Sequence, residues 1–193
     1  MATGTNSIPE RLINYRVYNE SNALMGMATV DLPEIQAMSD TVSGAGIAGE
    51  VDSPVLGHYQ AMSSTFNWRT IERPALELAK QQAHQLEIRG SQQHYDNTTG
   101  KITTTPIRVV MRAIPKNFSL GSFEPGSTTD SSTEFEVVYL KIVVDDKEVV
   151  EIDKYNFIAK FGDTDMLESI RKDLGMSYQN SPGLGPGIKG ETK

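Results

Sequence analysis

The glycine-rich segment at residues 44–49 is the part of the chain whose spacing most resembles a chemical motif. It reads G-x-G-x-x-G, a pattern in which backbone N–H groups at the start of a helix hold the pyrophosphate of a dinucleotide. That use needs a helix beginning at the loop and an acidic residue about 20 positions later. Pro54 prevents a long helix, and no acidic residue lies between Asp52 and Glu72. A bent backbone that needs positive φ is the favoured interpretation, and a glycine-loop nucleotide-binding domain is the alternative.

The other residues that could carry chemistry form no recognisable active site. The three histidines are not at metal-ligand spacing, and the chain has no cysteine to serve as a thiolate ligand or nucleophile. One pair of carboxylates, Asp145-Asp146, is predicted to form a hairpin tip, and a second pair, Asp163 and Asp165, is predicted to open a helix. We therefore predict no catalytic, cofactor-binding or metal-binding residues and no enzymatic activity.

Charge and hydropathy argue against two further functional classes, nucleic-acid-binding proteins and membrane proteins. The 193 residues include 18 Lys and Arg against 25 Asp and Glu, a formal net charge of -7. An acidic balance argues against a surface that grips nucleic acid, because phosphate affinity requires clustered cations. The chain has no run of about 18 apolar residues, the length of a membrane helix, so we expect no stable membrane association.

The periodicity of apolar residues predicts a mainly β protein. Alternation or β-branched runs predict six strands, and helix-forming residues predict two helices. The order favours an antiparallel β-barrel or sandwich with one helix packed on the side and a short C-terminal helix. The predicted strands are 24–32, 58–68, 86–89, 102–114, 134–144 and 147–158. The predicted helices are 73–84 and 166–174, the second with Gly175 as its stop, and the Gly-, Ser-, Thr- and Pro-rich residues 115–132 are predicted to form a loop. A loose arm at 1–9 and a flexible tail at 176–193 are predicted to flank a domain at 10–175.

Two features point towards assembly with other copies. The predicted strand 134–144 carries apolar residues on both sides, and a small domain has only one core to cover them. Residues 34–57 are glycine-rich and poor in apolar residues, and such long excursions are usually functional or disordered. We interpret this excursion as a long hairpin that reaches a neighbour. A free-standing β-domain adaptor is the alternative.

The chain resembles the major tail tube protein family of contractile-tailed bacteriophages, which also occurs in phage-tail-like bacteriocins. The resemblance covers about residues 10–175 and rests on blocks in a fixed order. These are RLINYRVYN (11–19), LMG (24–26), VDLP (30–33), TVSGAGIAGEVD (41–52), GH (57–58), LEIRG (86–90), VVMR (109–112), VYLK (138–141), EIDKYN (151–156) and SIRKDLG (169–175). Asp146 stands where the family often has glycine, which leaves the turn type open, and residues 176–193 extend past the family's usual end.

The resemblance implies a structural subunit rather than an enzyme. Six copies would close their sheets into a hexameric ring around a channel, and the rings would stack into a hollow tube inside a contractile sheath. The implied partners are other copies of the chain, the tail sheath protein, and baseplate and tail terminator proteins. DNA would pass as transiting cargo, or the lumen would be empty in a bacteriocin. The implied location is the virion tail or a tail-like particle, assembled in the bacterial host cytoplasm. A type VI secretion-like tube protein is a further alternative.

The resemblance and the alternation of side chains together assign candidate contact residues. The excursion at 34–57 would reach the adjacent ring, and its predicted inter-ring contacts are Ser43, Gly44, Gly46, Gly49, Glu50 and Asp52. The polar sides of the inner strands are predicted to face the lumen through Thr29, Asp31, Glu134 and Glu136. The last helix is predicted to face the sheath through Arg171 and Lys172.

Overall fold

Antiparallel strands make up most of the molecule. The computed structural model describes residues 7–26 and 28–176. Within them the strands are β1 (Ser7–Asn19), β2 (Ala28–Asp31), β3 (Ala37–Ser43), β4 (Glu50–Tyr59), β5 (Ser63–Trp68), β6 (His84–Asp96), β7 (Ile102–Ser119), β8 (Ser131–Val144), β9 (Lys147–Asp153), β10 (Ile158–Phe161) and β11 (Thr164–Asp165), and the helices are α1 (Arg73–Glu77) and α2 (Glu168–Asp173). The prediction of a mainly β, antiparallel subunit with two short helices is confirmed. Residues 7–9 of the predicted arm belong to β1, and residues 1–6 and 177–193 lie outside the described part.

The nine-stranded main sheet divides into two arms at β8. Its principal order is β1-β6-β7-β8-β9-β10-β11, and β5 pairs with both β8 and β2. The first part of β8 pairs with β5, and its second part pairs with β9 on the same edge. The remaining strands, β3 and β4, form a separate two-stranded sheet, which we call the β3–β4 hairpin. This hairpin occupies the excursion that the sequence indicated.

The core lies on one face of the main sheet, and α1 adds to it. The core residues alternate along the strands, as on β7, where Val109, Met111 and Ala113 are buried. The remaining buried members are Val17, Met25, Met62, Phe66, Trp68, Ala75, Leu78, Leu86, Ile88, Phe135, Val137, Leu140 and Ile152.

A β-bulge explains why strand β8 is apolar on both sides. Val137 pairs with Ala113 while Tyr139 pairs with Arg112, so Val138 is an extra residue in the ladder. One extra residue reverses the alternation, and the core therefore receives Val137 before the bulge and Leu140 after it. Val138 and Tyr139 on the other side are also buried within the single chain. The expectation that a neighbouring subunit covers this second side is therefore wrong for these two residues.

Several element boundaries differ from the predictions for identifiable reasons. The helix predicted at 73–84 ends at Glu77, with Leu78 as its C-cap, and turns at 78–83 lead into β6, whose pairing with β7 begins at His84. The loop predicted at 115–132 shrinks to 120–130, since β7 continues through Pro115 at a second bulge, a site where proline needs no ladder hydrogen bond.

The last helix begins later than predicted. Thr164 and Asp165 form a short strand with β10 rather than a helix cap. The helix starts at Glu168, after a turn in which Leu167 N–H donates to the Asp165 carboxylate at 3.1 Å. Gly175 has a φ of 67°, which agrees with its predicted role as the stop.

The β8–β9 turn is formed by two aspartates in a left-handed conformation. Asp145 and Asp146 have φ of 51° and 58°, the values of a type I′ turn, in which glycine is favoured at the second position. We expect Asp146→Gly to raise the free energy of unfolding by about 0.5–1 kcal/mol, because glycine adopts this φ without steric cost. Urea denaturation measures the change. The matched control, Lys147→Gly in the adjoining strand, is expected to lower stability by a similar amount, and a loss in both variants would contradict the prediction.

Candidate functional site

The four residues predicted to face a lumen lie on one face of one sheet. Strand pairing places Thr29 opposite Asn67 and Asp31 opposite Thr65. The next ladder places Thr65 opposite Glu134. Residues directly opposite one another, and residues two apart along a strand, share a face. We call this the polar sheet face, and its members are Thr29, Asp31, Ser63, Thr65, Asn67, Ser132, Glu134 and Glu136.

The reverse side of the same strands carries an aromatic cluster. Phe66 lies with its ring centroid 5.3 Å from that of Phe135, edge to face, and 5.8 Å from that of Trp68. The Trp68 indole Nε1–H donates to Thr133 Oγ1 at 3.1 Å inside the core. A slip of one residue in register would expose these rings and bury the polar side chains. The cluster therefore fixes which face of β5 and β8 is polar.

The glutamates of the polar sheet face are paired with lysines. Lys116 Nζ lies 3.3 Å from Glu134 Oε1 and 4.0 Å from Glu136 Oε2. Lys154 Nζ lies 3.3 Å from Glu136 Oε1 and donates to the Gln60 backbone oxygen at 2.8 Å. The face thus presents carboxylates whose charge is partly neutralised by neighbouring ammonium groups.

Sequence analysis missed both lysines. Lys116 fell in a segment predicted to be a loop, although continuing the alternation of β7 past Pro115 would have kept it on a strand. Lys154 follows β9 by one residue, and its approach to Glu136 depends on the pairing of β8 with β5 and β9, which has no local signal in the sequence. Asp31 has an uncharged partner, because Asn67 Nδ2 donates to its carboxylate at 3.2 Å.

The β3–β4 hairpin holds all six residues predicted to contact an adjacent ring. Ser43 pairs with Glu50, and Asp52 pairs with Thr41. The three glycines, Gly44, Gly46 and Gly49, form the tip with φ of 149°, 97° and 133°, and a Cβ added at any of them would meet no atom within 4 Å. Backbone conformation rather than crowding therefore requires glycine at the tip. The tip joins two strands and opens no helix, so the dinucleotide interpretation lacks its structural context.

A fourth glycine allows the base of the hairpin to pack closely against the C-terminal elements. Gly57 has a φ of +68°, and a Cβ there would lie 2.3 Å from Leu167 Cδ2 and 2.5 Å from its Cγ. Leu167 is itself only 3% exposed, so it has little room to yield. This contact joins the base of the hairpin to the segment between β11 and α2.

We expect Gly57→Ala to lower the free energy of unfolding by about 1–3 kcal/mol, because it adds backbone strain and overpacking at once. Thermal unfolding measures the loss. Leu167→Ala in the same chain should recover part of it, since the two positions share the contact. Gly46→Ala, at a position with open space, is the control for strain alone. Equal losses in the two glycine variants would show that the Leu167 contact contributes nothing.

The side chain of Arg171, predicted to face a sheath, is buried and is paired within the chain. Its Nη2 lies 2.5 Å from Asp165 Oδ2, and its Nη1 donates to the Phe157 backbone oxygen at 2.6 Å. The side chains of Arg171 and Asp165 are only 7% and 14% exposed. The structure corrects the prediction for Arg171, whose guanidinium stabilises the C-terminal elements. Lys172 is exposed and stays a predicted sheath contact.

Tyr139, on the second side of β8, is buried, and its hydroxyl is paired within the chain. Burial, together with the nearby Glu151 carboxylate, raises the pKa of the Tyr139 hydroxyl above its usual range. The protonated hydroxyl donates to Glu151 Oε1 at 2.9 Å, and Lys160 Nζ lies 3.5 Å from Glu151 Oε2. This cluster is internally satisfied and holds β8, β9 and β10 together.

The arrangement offers contact surfaces rather than a reaction centre. Over residues 7–26 and 28–176, no group of three or more His, Asp or Glu side chains lies close enough together to hold a metal ion. In the same part of the chain, no helix has the length and apolar character to cross a membrane.

Comparison with known proteins decides the class. The family model described as phage tail tube protein FII matches residues 9–175, nearly the whole described chain. The chain belongs to this phage tail tube family. It is also similar to the tail tube protein of Escherichia phage P2, with 27% identity over 180 residues, covering 88% of this chain and 99% of the relative. The predicted resemblance and the predicted absence of enzymatic activity are confirmed. A tail tube protein is a structural component of the virion tail and assembles there with other tail proteins.

Proposed function

We propose that six copies of this tail tube subunit close into a ring with the polar sheet face lining the channel, and that the rings stack into a hollow tube. The observation that carries the proposal is the two-sided character of β2, β5 and β8, which have a continuous polar face backed by the aromatic core. The outermost strands of the main sheet are β1, β2 and β11. Within the described residues none of them has a ladder partner on its outer edge, although Tyr18 of β1 forms a single bridge with Leu24. Free edges favour pairing with other copies, and closure into a ring removes them.

The charges of the polar sheet face suit a channel through which DNA slides. Carboxylates repel the phosphate backbone, and tight DNA binding would require phosphates to meet unpaired cations. Lys116 and Lys154 are instead paired with Glu134 and Glu136. Such a lining neither grips the backbone nor builds the strong field that an unpaired acidic surface would create. The proposed cargo is therefore DNA in transit, with an empty lumen as the corresponding state in a bacteriocin particle.

The proposed setting is a contractile tail. The tube would lie inside a sheath whose contraction drives it through the host envelope, with baseplate and tail terminator proteins at its two ends and with assembly in the host cytoplasm. Lys172 is the proposed sheath contact on α2, since Arg171 is internal. Sheath protein that co-sediments with wild-type tubes and not with tubes of Lys172→Glu would support this contact, and equal co-sedimentation would contradict it.

Negative-stain microscopy of the purified chain and of assembled tails tests the ring and the tube. Hollow rods or six-fold rings are expected. Monodisperse monomers in every condition, including seeding with tail fragments, would contradict the proposal. Assembled tails in which the rod has no surrounding sheath would leave the tube standing and contradict the contractile setting.

Single-cysteine labelling tests which face lines the channel, because the chain contains no native cysteine. Asn67→Cys lies on the polar sheet face, and Ser169→Cys on α2 is the matched control at another exposed position. Both should react with a maleimide that carries a bulky polymer when the protein is monomeric. In tubes, only the Ser169 position should react. Equal reaction at both positions in tubes would place the polar sheet face outside the lumen.

A further inference from the structure

The two ends of the polar sheet face carry different structures. Strand β5 begins at Ser63, opposite Glu136, directly after the β3–β4 hairpin. It ends at Trp68, opposite Ser131, which follows the loop at 120–130. The hairpin therefore leaves the sheet at the Ser63 end, and the β7–β8 loop lies at the Trp68 end.

The hairpin at the first end is acidic and has exposed apolar side chains. Residues 37–59 include Asp40, Glu50 and Asp52 but no lysine or arginine. Val42, Ile47 and Val51 are 44%, 42% and 52% exposed. The ten residues of β4 extend over about 33 Å at the rise of a β-strand. The hairpin forms a two-stranded sheet separate from the main sheet and its tip is exposed, so the tip is available to contact another copy.

A cavity of about 500 Å³ opens at the second end. Its walls include Thr29 and Asn67 from the end of the polar sheet face, Thr128 and Asp130 from the loop, and the exposed Arg69 immediately after β5. The Asp130 carboxylate already accepts from Thr128 Oγ1 at 2.7 Å. Arg69 is the cation of this cavity, and its guanidinium can hold a carboxylate through two parallel hydrogen bonds.

We propose that the acidic hairpin tip of one copy docks at the Arg69 cavity of a copy in the next ring, with Glu50 or Asp52 paired with Arg69. This inference rests on the proposed function, in which rings stack. The acidic hairpin tip and the Arg69 cavity lie at opposite ends of the polar sheet face of one copy. The contact between two copies is therefore head to tail, and it uses a different surface on each of them. After each addition, a head-to-tail contact leaves one hairpin tip and one Arg69 cavity still available for docking. It therefore builds an open filament instead of closing two copies together.

Charge reversal tests the docking, with microscopy and sedimentation as the readouts. Arg69→Glu, or Glu50→Arg with Asp52→Arg, is expected to reduce sedimentable tube at least tenfold while six-fold rings persist. Combining the reversals in one chain should restore tubes. Arg73→Glu is the matched control, because Arg73 is 92% exposed at its side chain near the same end but outside the cavity lining, and it should assemble like wild type.

The possible outcomes separate the docking from the proposed function. Tubes of wild-type length from Arg69→Glu, or no recovery in the combined variant when both single sets lose tubes, would overturn the docking while rings and tubes of the wild type stand. Absence of rings and tubes from the wild type itself would overturn the proposed function. Melting temperatures close to wild type confirm that the variants fold.

Disulfide formation gives a second readout. Arg69→Cys with Asp52→Cys in one chain places the two thiols at opposite ends, so oxidation should link different copies and give a ladder of covalent multimers on a non-reducing gel. Arg73→Cys with Asp52→Cys is the control and should stay monomeric. If the variant with Arg69→Cys and Asp52→Cys forms tubes but gives only monomer on the non-reducing gel, the docking is overturned.

Discussion

Replacing Phe135 with alanine is expected to lower the free energy of unfolding by about 3–5 kcal/mol, the cost of truncating a fully buried aromatic side chain. Phe135 is completely buried and packs edge to face on Phe66. Its removal leaves a cavity between strands that must stay aligned to keep the polar sheet face on one side. The single tryptophan, Trp68, stacks on Phe66 at 5.8 Å, so its fluorescence reports unfolding of this cluster in a urea titration.

Phe123 provides the matched control for this experiment. Its side chain is 86% exposed in the loop at 120–130, and Phe123→Ala should change stability by no more than about 0.5 kcal/mol. A loss below about 1 kcal/mol for Phe135→Ala would mean that the aromatic cluster does not fix the register of β5 and β8.

Replacing Arg171 with methionine is expected to cost about 3–5 kcal/mol at neutral pH, because it leaves the Asp165 carboxylate buried without its cation. The variant also removes the hydrogen bond to the Phe157 backbone oxygen. Urea denaturation across a pH series measures the loss. Lys172→Met, one residue along α2 and exposed, is the matched control and should fall within about 0.5 kcal/mol of wild type.

The pH dependence distinguishes an ion pair from simple packing. Burial alone would raise the pKa of Asp165, but hydrogen bonds from Arg171 and Leu167 and the charges of Arg171 and Lys160 outweigh it and lower the pKa below 3.8. The pair therefore contributes its full stability above that value and loses it as pH falls through the lowered pKa. Without Arg171 the same carboxyl should have a raised pKa. The difference between wild type and Arg171→Met should consequently narrow as the solution is acidified, and a constant difference would indicate packing alone.

Local patterns in the sequence predicted the parts of the fold that depend on alternation. The polar and apolar sides of β8 near Glu134 and Phe135 follow a strict period of two, so alternation alone places Glu134 and Glu136 on one side of their strand, as it does Thr29 and Asp31. That the two pairs share one face of the sheet follows from their pairing through β5. The bulge at Val138 could not, because an extra residue in one strand is defined only against its partner. The length of β7 was missed for the same reason, since Pro115 reads as a strand breaker unless the bulge beside it is known.

The candidate contact residues show the same division between local and non-local information. The glycines of the β3–β4 hairpin were identified because positive φ restricts residue type locally. Arg171 was assigned to the sheath side together with the rest of the last helix, and nothing near it in sequence shows the Phe157 oxygen that it reaches. Lys116 and Lys154 were missed because their partners lie on other strands.

The nearly complete exposure of the β3–β4 hairpin bears on how a tube would start and grow. A lone copy buries the hairpin's apolar side chains only in part, and a pair of copies would share only one docking contact. The end of a finished ring would present six hairpins in a fixed circle, so each arriving copy would meet neighbours above and beside it at a high effective concentration. Polymerisation would then show a lag that preformed ends abolish, and the number of tubes would be set by the supply of such seeds rather than by the amount of subunit.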